Sequence, residues 1–350
     1  MSDQRPAMGW AKARSAASIG ALLALLSAAS YATVNALLRS VAADVDPFAG
    51  SLIRQLPLLV IATAALIILR PRALRPRALE FIGGRMVVML MVAGVISFLV
   101  GNVFLFIGLD WVGLAVATAA SQGGIVLGGT LVSALVLREP PNRWQVIGIS
   151  IVAVGLVVVA SPSFSSIQGG GLAILGFVFS VTAGLCYTIS NAASRTVQRR
   201  PRTFIAALAM TNLGGAIALT IAVAIRSGGR FDLVYSALSG SQILILLLAG
   251  TVNAVALASV TLAVRFTTVT AVSALSSLVI VFGIVLAWLV FQEQIASAVI
   301  VGAAIIIAGV ILAQLRPRTA PLAPSPLDLT APLDTDHTTA TEHVMEEGRK

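Results

Sequence analysis

Apolar residues run along this chain in blocks of about twenty, the length a helix needs to cross the hydrocarbon core of a bilayer. The blocks are continuous rather than alternating, and far longer than barrel strands, so the pattern predicts helices. Polar joints divide them into ten predicted spans: 17–38, 47–69, 86–108, 114–137, 145–161, 171–193, 203–225, 242–264, 268–290 and 297–315. No joint is long enough to hold a soluble domain. From Arg316 onward the pattern stops, and RPRTAPLAPSPLDLTAPLDTDHTTATEHVMEEGRK is rich in Pro, Thr and acids. Such a segment cannot bury enough apolar surface to fold and is expected to be a disordered tail over 316–350.

Polar positions inside the blocks are sparse, and they repeat. SAASYATVNALLRS (27–40) carries Tyr31, Asn35 and Arg39 at four-residue spacing; AGLCYTISNAASRT (183–196) carries Tyr187, Asn191 and Arg195 in the same order. LVSALVLREPPNRWQVIGISIVAVGLVVV (131–159) aligns without a gap to VLAWLVFQEQIASAVIVGAAIIIAGVILA (285–313), pairing Glu139 with Glu293, Gly148 with Gly302 and Gly155 with Gly309 at an offset of 154. The chain therefore divides into a tail (1–16), a first five-span repeat (17–161), a linker (162–170), a second five-span repeat (171–315) and the final tail. Five is odd, so the second repeat enters the membrane inverted relative to the first. Two halves related by an in-plane axis are the construction of many secondary transporters.

Composition agrees with membrane insertion. Of 350 residues, 58% are hydrophobic and 11% charged, against roughly 25% charged in soluble domains; mean hydropathy is +0.98. The net charge of +9 comes from arginines in the short joints. That placement is the orienting charge of a membrane protein and lacks the aromatic-basic surface of a nucleic-acid binder. Basic residues concentrate at 5–14, 70–85, 138–143, 195–202, 265 and 316–318, leaving only Arg39, Arg226 and Arg230 for the other side. Both termini are expected in the cytoplasm, with the first span retained rather than cleaved. Cys186 is the only cysteine, which excludes an intrachain disulfide and a cysteine metal cluster.

The matched pieces resemble the EamA family of the drug/metabolite transporter superfamily. The residues that carry the resemblance are DPFAGSLIRQLP at the second span, LVLREP followed by QVIGISIVAVGL, the return of that element as LVFQEQ and VIVGAAIIIAGVI, and the polar joint LDWVGLAVATAAS matched by VRFTTVTAVSALSS. They cover 18–315. The chain departs from the family in lacking a proline near the middle of the fourth and ninth spans, where it reads SQGGIVLGGT and SALSSLVIVFG. The resemblance implies an all-α integral membrane protein of ten helices, two inverted five-helix repeats around a central cavity, and export of amino acids, metabolites or drugs.

Within that frame the intramembrane polar residues are the candidate chemistry. Tyr31 and Asn35 share one helical face, and with Tyr187 and Asn191 they either line the solute path or hold helices together by hydrogen bonds. Arg39 and Arg195, at helix ends, are expected to snorkel to headgroups. Arg54 lies about seven residues inside the second span; it either reaches the interface or holds an anionic group such as a carboxylate. Asn102 and Asn253 lie in corresponding spans, and Ser121, Gln122, Thr270, Ser273 and Ser276 add neutral donors and acceptors. A site built this way suits zwitterionic or polar neutral solutes better than highly charged ones. Phe104, Phe106 and Trp288 are apolar walls or plain packing surface. Glu139 and Glu293 end matching helices and serve coupling or gating, or else bond loops at a helix terminus. Gly124 and Gly128 form a GxxxG that predicts close packing within the bundle. Asp334, Asp336, His337, Glu342 and His343 sit in the tail without a helix to preorganise them and are read as solvated.

The favoured reading is a secondary carrier exporting small organic solutes across the cytoplasmic membrane by alternating access. Its partners are a small-molecule substrate and the lipid bilayer, with no nucleic acid, cofactor or metal; monomer and homodimer both remain open. A flippase for lipid-linked or amphipathic substrates is the alternative, favoured if an arginine-lined groove opens laterally. An intramembrane enzyme is the third: HExxH, G-x-S-x-G and a P-loop are absent, and no two acids share a span.

Overall fold

The computed structural model describes residues 5–69, 83–135, 142–165, 170–198 and 203–314. Among them every regular element is helical. In chain order these are α1 (Arg5–Arg39), α2 (Pro47–Leu69), α3 (Gly84–Gly94), a π-helical segment (Val95–Gly101), α4 (Asn102–Leu135), α5 (Arg143–Ser165), α6 (Gly170–Gln198), α7 (Phe204–Arg226), α8 (Phe231–Ser236), α9 (Gly240–Phe266), α10 (Val269–Ser276), α11 (Val279–Phe291) and α12 (Ser297–Gln314).

Nine stretches among the described residues are long and apolar enough to cross a membrane. One of them, Gly84–Val132, is 49 residues long, about 74 Å at the helical rise, more than twice a hydrocarbon core. It is broken at Gly113, whose φ of 79° and ψ of 174° lie outside the helical region. The break falls in the gap between the predicted third and fourth spans. The predicted ninth span is also divided: α10 ends at Ser276, Ser277 and Leu278 form a turn with ψ near −16° and −9°, and α11 follows. The interruption there involves no proline: Thr268 caps the start of α10 by accepting from the Ala271 N–H, and the short turn separates α10 from α11. The short α8 was not apparent in the hydrophobic pattern.

Close approach between the halves is carried by the repeated glycines. A Cβ on Gly148 would lie 2.7 Å from the Gly309 carbonyl oxygen, and one on Gly155 would lie 3.0 Å from that of Gly302. So 148 meets 309 while 155 meets 302, which makes α5 and α12 antiparallel. Because 148 corresponds to 302 and 155 to 309, the crossed pairing is the self-complementary contact that a two-fold axis produces. Elsewhere, Ser27 on α1 donates to the Ala256 carbonyl on α9 at 2.9 Å, and Gly20 lies against Thr267. This second antiparallel pair has its own repeat mate: Ser97 donates to the Cys186 carbonyl at 2.9 Å, and Gly108 lies against Gly176. The halves are inverted copies.

Gly124 and Gly128 pack against α6 at Val181 and Thr188, as close packing within the bundle predicts. Residues such as Ile68, Ile225 and Val157 turn outward at 66–76% exposure, the lipid-facing surface expected of a bundle without water around it.

Candidate functional site

The start of α2 is fixed by sequence chemistry. Asp46 precedes Pro47, and its Oδ1 accepts from the Phe48 and Ala49 N–H groups at 3.1 and 3.0 Å; proline at the first helical position gives up no needed donor. That anchoring turns Ser51, Arg54 and Gln55 into the bundle, where they are 1%, 8% and 3% exposed. Pro57 then leaves the Ile53 carbonyl without its usual partner and seats its ring against Gly250 of α9, which also lies against the Arg54 carbonyl.

Arg54 meets the π-helical segment's exit. Its Nη1 donates to Asn102 Oδ1 at 3.4 Å, and Tyr187 of α6 donates its hydroxyl to the same oxygen at 2.8 Å. Gly101, the last residue of the π-helical segment, leaves room for the Tyr187 ring: a Cβ there would sit 3.1 Å from Cε1. Single π-helical turns inside α-helices are frequent at functional sites, and here the extra residue re-aims Asn102. Three helices, α2, α4 and α6, therefore meet in this group. Among the described residues no carboxylate lies within 4.0 Å of it; the charge is buried with only dipoles around it, an arrangement that is costly unless function requires it.

The remaining candidates divide. Asn35 donates to Thr118 Oγ1 at 3.3 Å and ties α1 to α4. Ser121 is buried, with its hydroxyl donating to the Thr118 carbonyl at 3.1 Å. Gln122, Asn253 and Ser273 are half-buried, and Thr270 is the second residue of α10. Asn191 is exposed, unlike Asn35. The two polar stripes are thus equivalent at their tyrosines and not at their asparagines. Phe106 is fully buried core, Phe104 stacks on Phe179 at a centroid distance of 4.5 Å, and Trp288 faces outward. Glu139 and the histidine-bearing tail lie outside the described residues, as does the Arg195 side chain. Among the described residues no group of three His, Cys, Asp or Glu could hold a metal.

Glu293 has a different place. The left-handed Gln292 (φ 52°, ψ 31°) ends α11 and swings the carboxylate toward the break at Gly113. There Oε1 accepts from the Leu114 N–H at 2.9 Å and from Arg39 Nε at 3.3 Å, while Oε2 accepts from Leu114 and Ala115 at 3.1 and 3.4 Å. The carboxylate caps a helix N-terminus, where both free N–H groups and the helix dipole favour it. Arg39 also approaches Asp110 at 3.9 Å. The expected snorkelling of Arg39 is corrected: two carboxylates at its own level of the bundle hold it inward. Asp110 and Gly113 were visible in LDWVGLAV as a polar joint, but nothing local pointed to a partner 180 residues away. A cleft of about 410 Å³ opens beside this cluster, lined by Arg39, Asp110, Gly113 and Glu293. A second, of about 550 Å³, is a groove against the outward-facing Trp288 and touches none of the Arg54 group.

The model of the EamA-like transporter family matches residues 18–161 and again residues 165–315. A solved crystal structure superposes with a TM-score of 0.55 at 18% identity, covering 85% of this chain and 96% of that one; at such identity the likeness speaks to the fold alone. No curated protein matches.

Proposed function

We propose that the chain, which belongs to the EamA-like transporter family, is a secondary carrier that exports small organic solutes by alternating access. The family makes it a multi-pass membrane protein of transporter type; substrate, direction and mechanism are this reading. The observation that carries it is the buried Arg54–Asn102–Tyr187 group, polar chemistry from separate helices gathered deep in an apolar bundle of inverted halves. Counting the stretch broken at Gly113 as two spans gives ten, which returns both termini to one side. The arginine distribution supports a cytoplasmic side for both, and on that reading the Arg39–Glu293 cluster lies outside.

In this reading Arg54, Asn102, Tyr187 and Tyr31 contact the solute. Asn35, Ser121, Gln122, Asn253, Thr270 and Ser273 belong to its surroundings. Glu293 gates: while it bonds Arg39 and the Leu114 amide, the outer ends of α1, α4 and α11 are tied together. Breaking those bonds frees the outer end, and re-forming them closes it. No catalytic step is involved. The burial of Arg54, at 8% exposed, favours an enclosed solute site over a laterally open flippase groove.

The test is efflux. Cells overproducing the chain are challenged with amino acids, metabolites and toxic analogues, and solutes that it clears are followed in reconstituted vesicles. Asn102→Ala should lower flux at least tenfold with membrane insertion intact. Wild-type flux in that variant would remove the Arg54 group from the path.

A further inference from the structure

We infer that the centre around Arg54 selects a solute of net charge −1, a monocarboxylate with an uncharged apolar body, over the zwitterion of the same skeleton. The inference rests on the carrier reading for its biological sense, but its chemistry stands on the site alone.

Charge balance is the first argument. Five acidic residues fall among those described: Asp44, Asp46, Asp110, Asp232 and Glu293. Each lies at a joint or a helix break, and Asp46 engages Arg226 at 3.1 Å while Glu293 and Asp110 face Arg39. None contacts Arg54. The group around Arg54 therefore holds one buried positive charge, and a solute carrying one negative charge neutralises it. A zwitterion brings its own ammonium into the same space, where it meets a guanidinium and finds no carboxylate. The usual low-dielectric logic makes both effects larger here than in water.

Hydrogen-bond capacity is the second. A guanidinium offers five N–H donors in a planar fork suited to a carboxylate. Asn102 engages one of them, over 3.4 Å, and its Oδ1 is already the shorter partner of the Tyr187 hydroxyl at 2.8 Å. Asn102 thus orients the group without neutralising it. When a carboxylate arrives, the fork can take it bidentately while Tyr187 turns its hydroxyl from Asn102 to the incoming oxygen.

The surroundings supply the third. Tyr31 packs against the buried apolar cluster that includes Ala28 and Ala32, and Tyr187 packs against a second buried apolar cluster. The remainder of the solute accordingly meets aromatic and aliphatic surface.

The experiment uses three probes on one carbon skeleton: 3-phenylpropionate, phenylalanine and 3-phenylpropionamide, with net charges of −1, zero as a zwitterion, and zero. Binding of each to the purified full chain in nanodiscs is measured by calorimetry. 3-Phenylpropionate should bind at least tenfold more tightly than either of the others. Arg54→Gln should abolish that margin, and Arg54→Lys should retain part of it. Phenylalanine binding as tightly as the monoanion, absence of carboxylate binding at millimolar concentration, or an unchanged margin in Arg54→Gln would each overturn the inference. The wild-type comparison needs no variant, so a misfolded Arg54→Gln leaves it decisive. Flux of the same probes through proteoliposomes separates the two claims. Monoanion binding without flux sinks the carrier reading and keeps the site; flux without charge preference does the reverse.

Discussion

Replacing Gly113 by alanine tests whether the break in α4 and the Glu293 carboxylate form one device. At φ 79° and ψ 174° the backbone occupies a region open essentially to glycine alone, and a side chain there costs about 1–3 kcal/mol. A Cβ would also stand 2.8 and 2.9 Å from the two Glu293 carboxylate oxygens. The carboxylate must therefore withdraw and loosen its bonds to Leu114 and Arg39, at 2.9 and 3.3 Å. Partly exposed charge-assisted bonds of this kind contribute roughly 1–2 kcal/mol together once solvent screening is allowed for. Gly113→Ala alone should then destabilise by about 3 kcal/mol in all. In a Glu293→Ala background the obstruction and the bonds are both gone, and the same substitution should cost only the backbone strain. A double-mutant cycle, read by reversible unfolding in mixed micelles, should show the double variant more stable than the sum of the single losses by about 1–2 kcal/mol. Additivity within about 0.5 kcal/mol would mean that the two residues act independently, and the idea of a shared latch would fall.

The two-fold contact between α5 and α12 predicts that Gly155→Val and its counterpart Gly309→Val lower stability by similar amounts, about 1–3 kcal/mol each by overpacking; a several-fold inequality in unfolding free energy would show that the helices do not meet symmetrically. Tyr187→Phe removes one intramembrane hydrogen bond and should change stability by no more than about 0.6–1.7 kcal/mol, while slowing flux several-fold; equal flux in the two forms would take the hydroxyl out of the site. Asn35→Ala should lower transport and Asn191→Ala, at an exposed position, should not, as vesicle flux would reveal; a loss in the second alone would reverse that assignment. Reporter enzymes fused to either terminus should report the cytoplasm, and a periplasmic signal from one of them would break the ten-span count.

Much of the frame was legible because hydrophobicity and duplication are local and periodic. Block length announced helices, and the paired glycines at 148, 155, 302 and 309 announced the halves; the structure adds only that they meet crosswise, which no linear alignment states. Tyr31 and Tyr187 were also legible, since a polar group inside an apolar block stands out. What escaped was partnership. Arg39 reads as an interfacial cation until Glu293 is placed beside it, and Thr118 reads as one small residue among many until Asn35 reaches it. Asn102 stood out as a polar group in the third span, but its meeting with Arg54 did not, because that follows a π-helical segment whose seven residues, VISFLVG, look like any apolar run. The equivalence of Asn35 and Asn191 failed for a related reason. Sequence repeats preserve position along a helix, while exposure depends on which neighbours arrive, and these differ between the halves.

That difference has a centre. At the offset of 154 the counterpart of Arg54 is Leu208, which packs in the apolar cluster of α2, α3 and α7. The frame of the bundle obeys its two-fold axis at α5 and α12, yet the charged group does not. For a carrier the two demands are separate. Symmetry supplies two closures of nearly equal energy, so that neither opening dominates, whereas recognition of an asymmetric solute requires an asymmetric set of contacts. Placing a guanidinium on one half alone meets the second demand with little cost to the first, provided that Arg54 stays within reach of the solute in both arrangements. Its neighbours suit that requirement. Asn102 and Tyr187 belong to opposite halves, and their 2.8 Å hydrogen bond spans the seam between them. A rocking motion of the halves would therefore act on that bond, as it would on the Ser27–Ala256 and Ser97–Cys186 bonds that also join them. Restoring Leu208 to the charge of its counterpart, by Leu208→Arg, would place a second cation on the other half; the prediction is loss of transport with the repeat symmetry improved, and unimpaired flux would show that the solute site does not depend on this asymmetry.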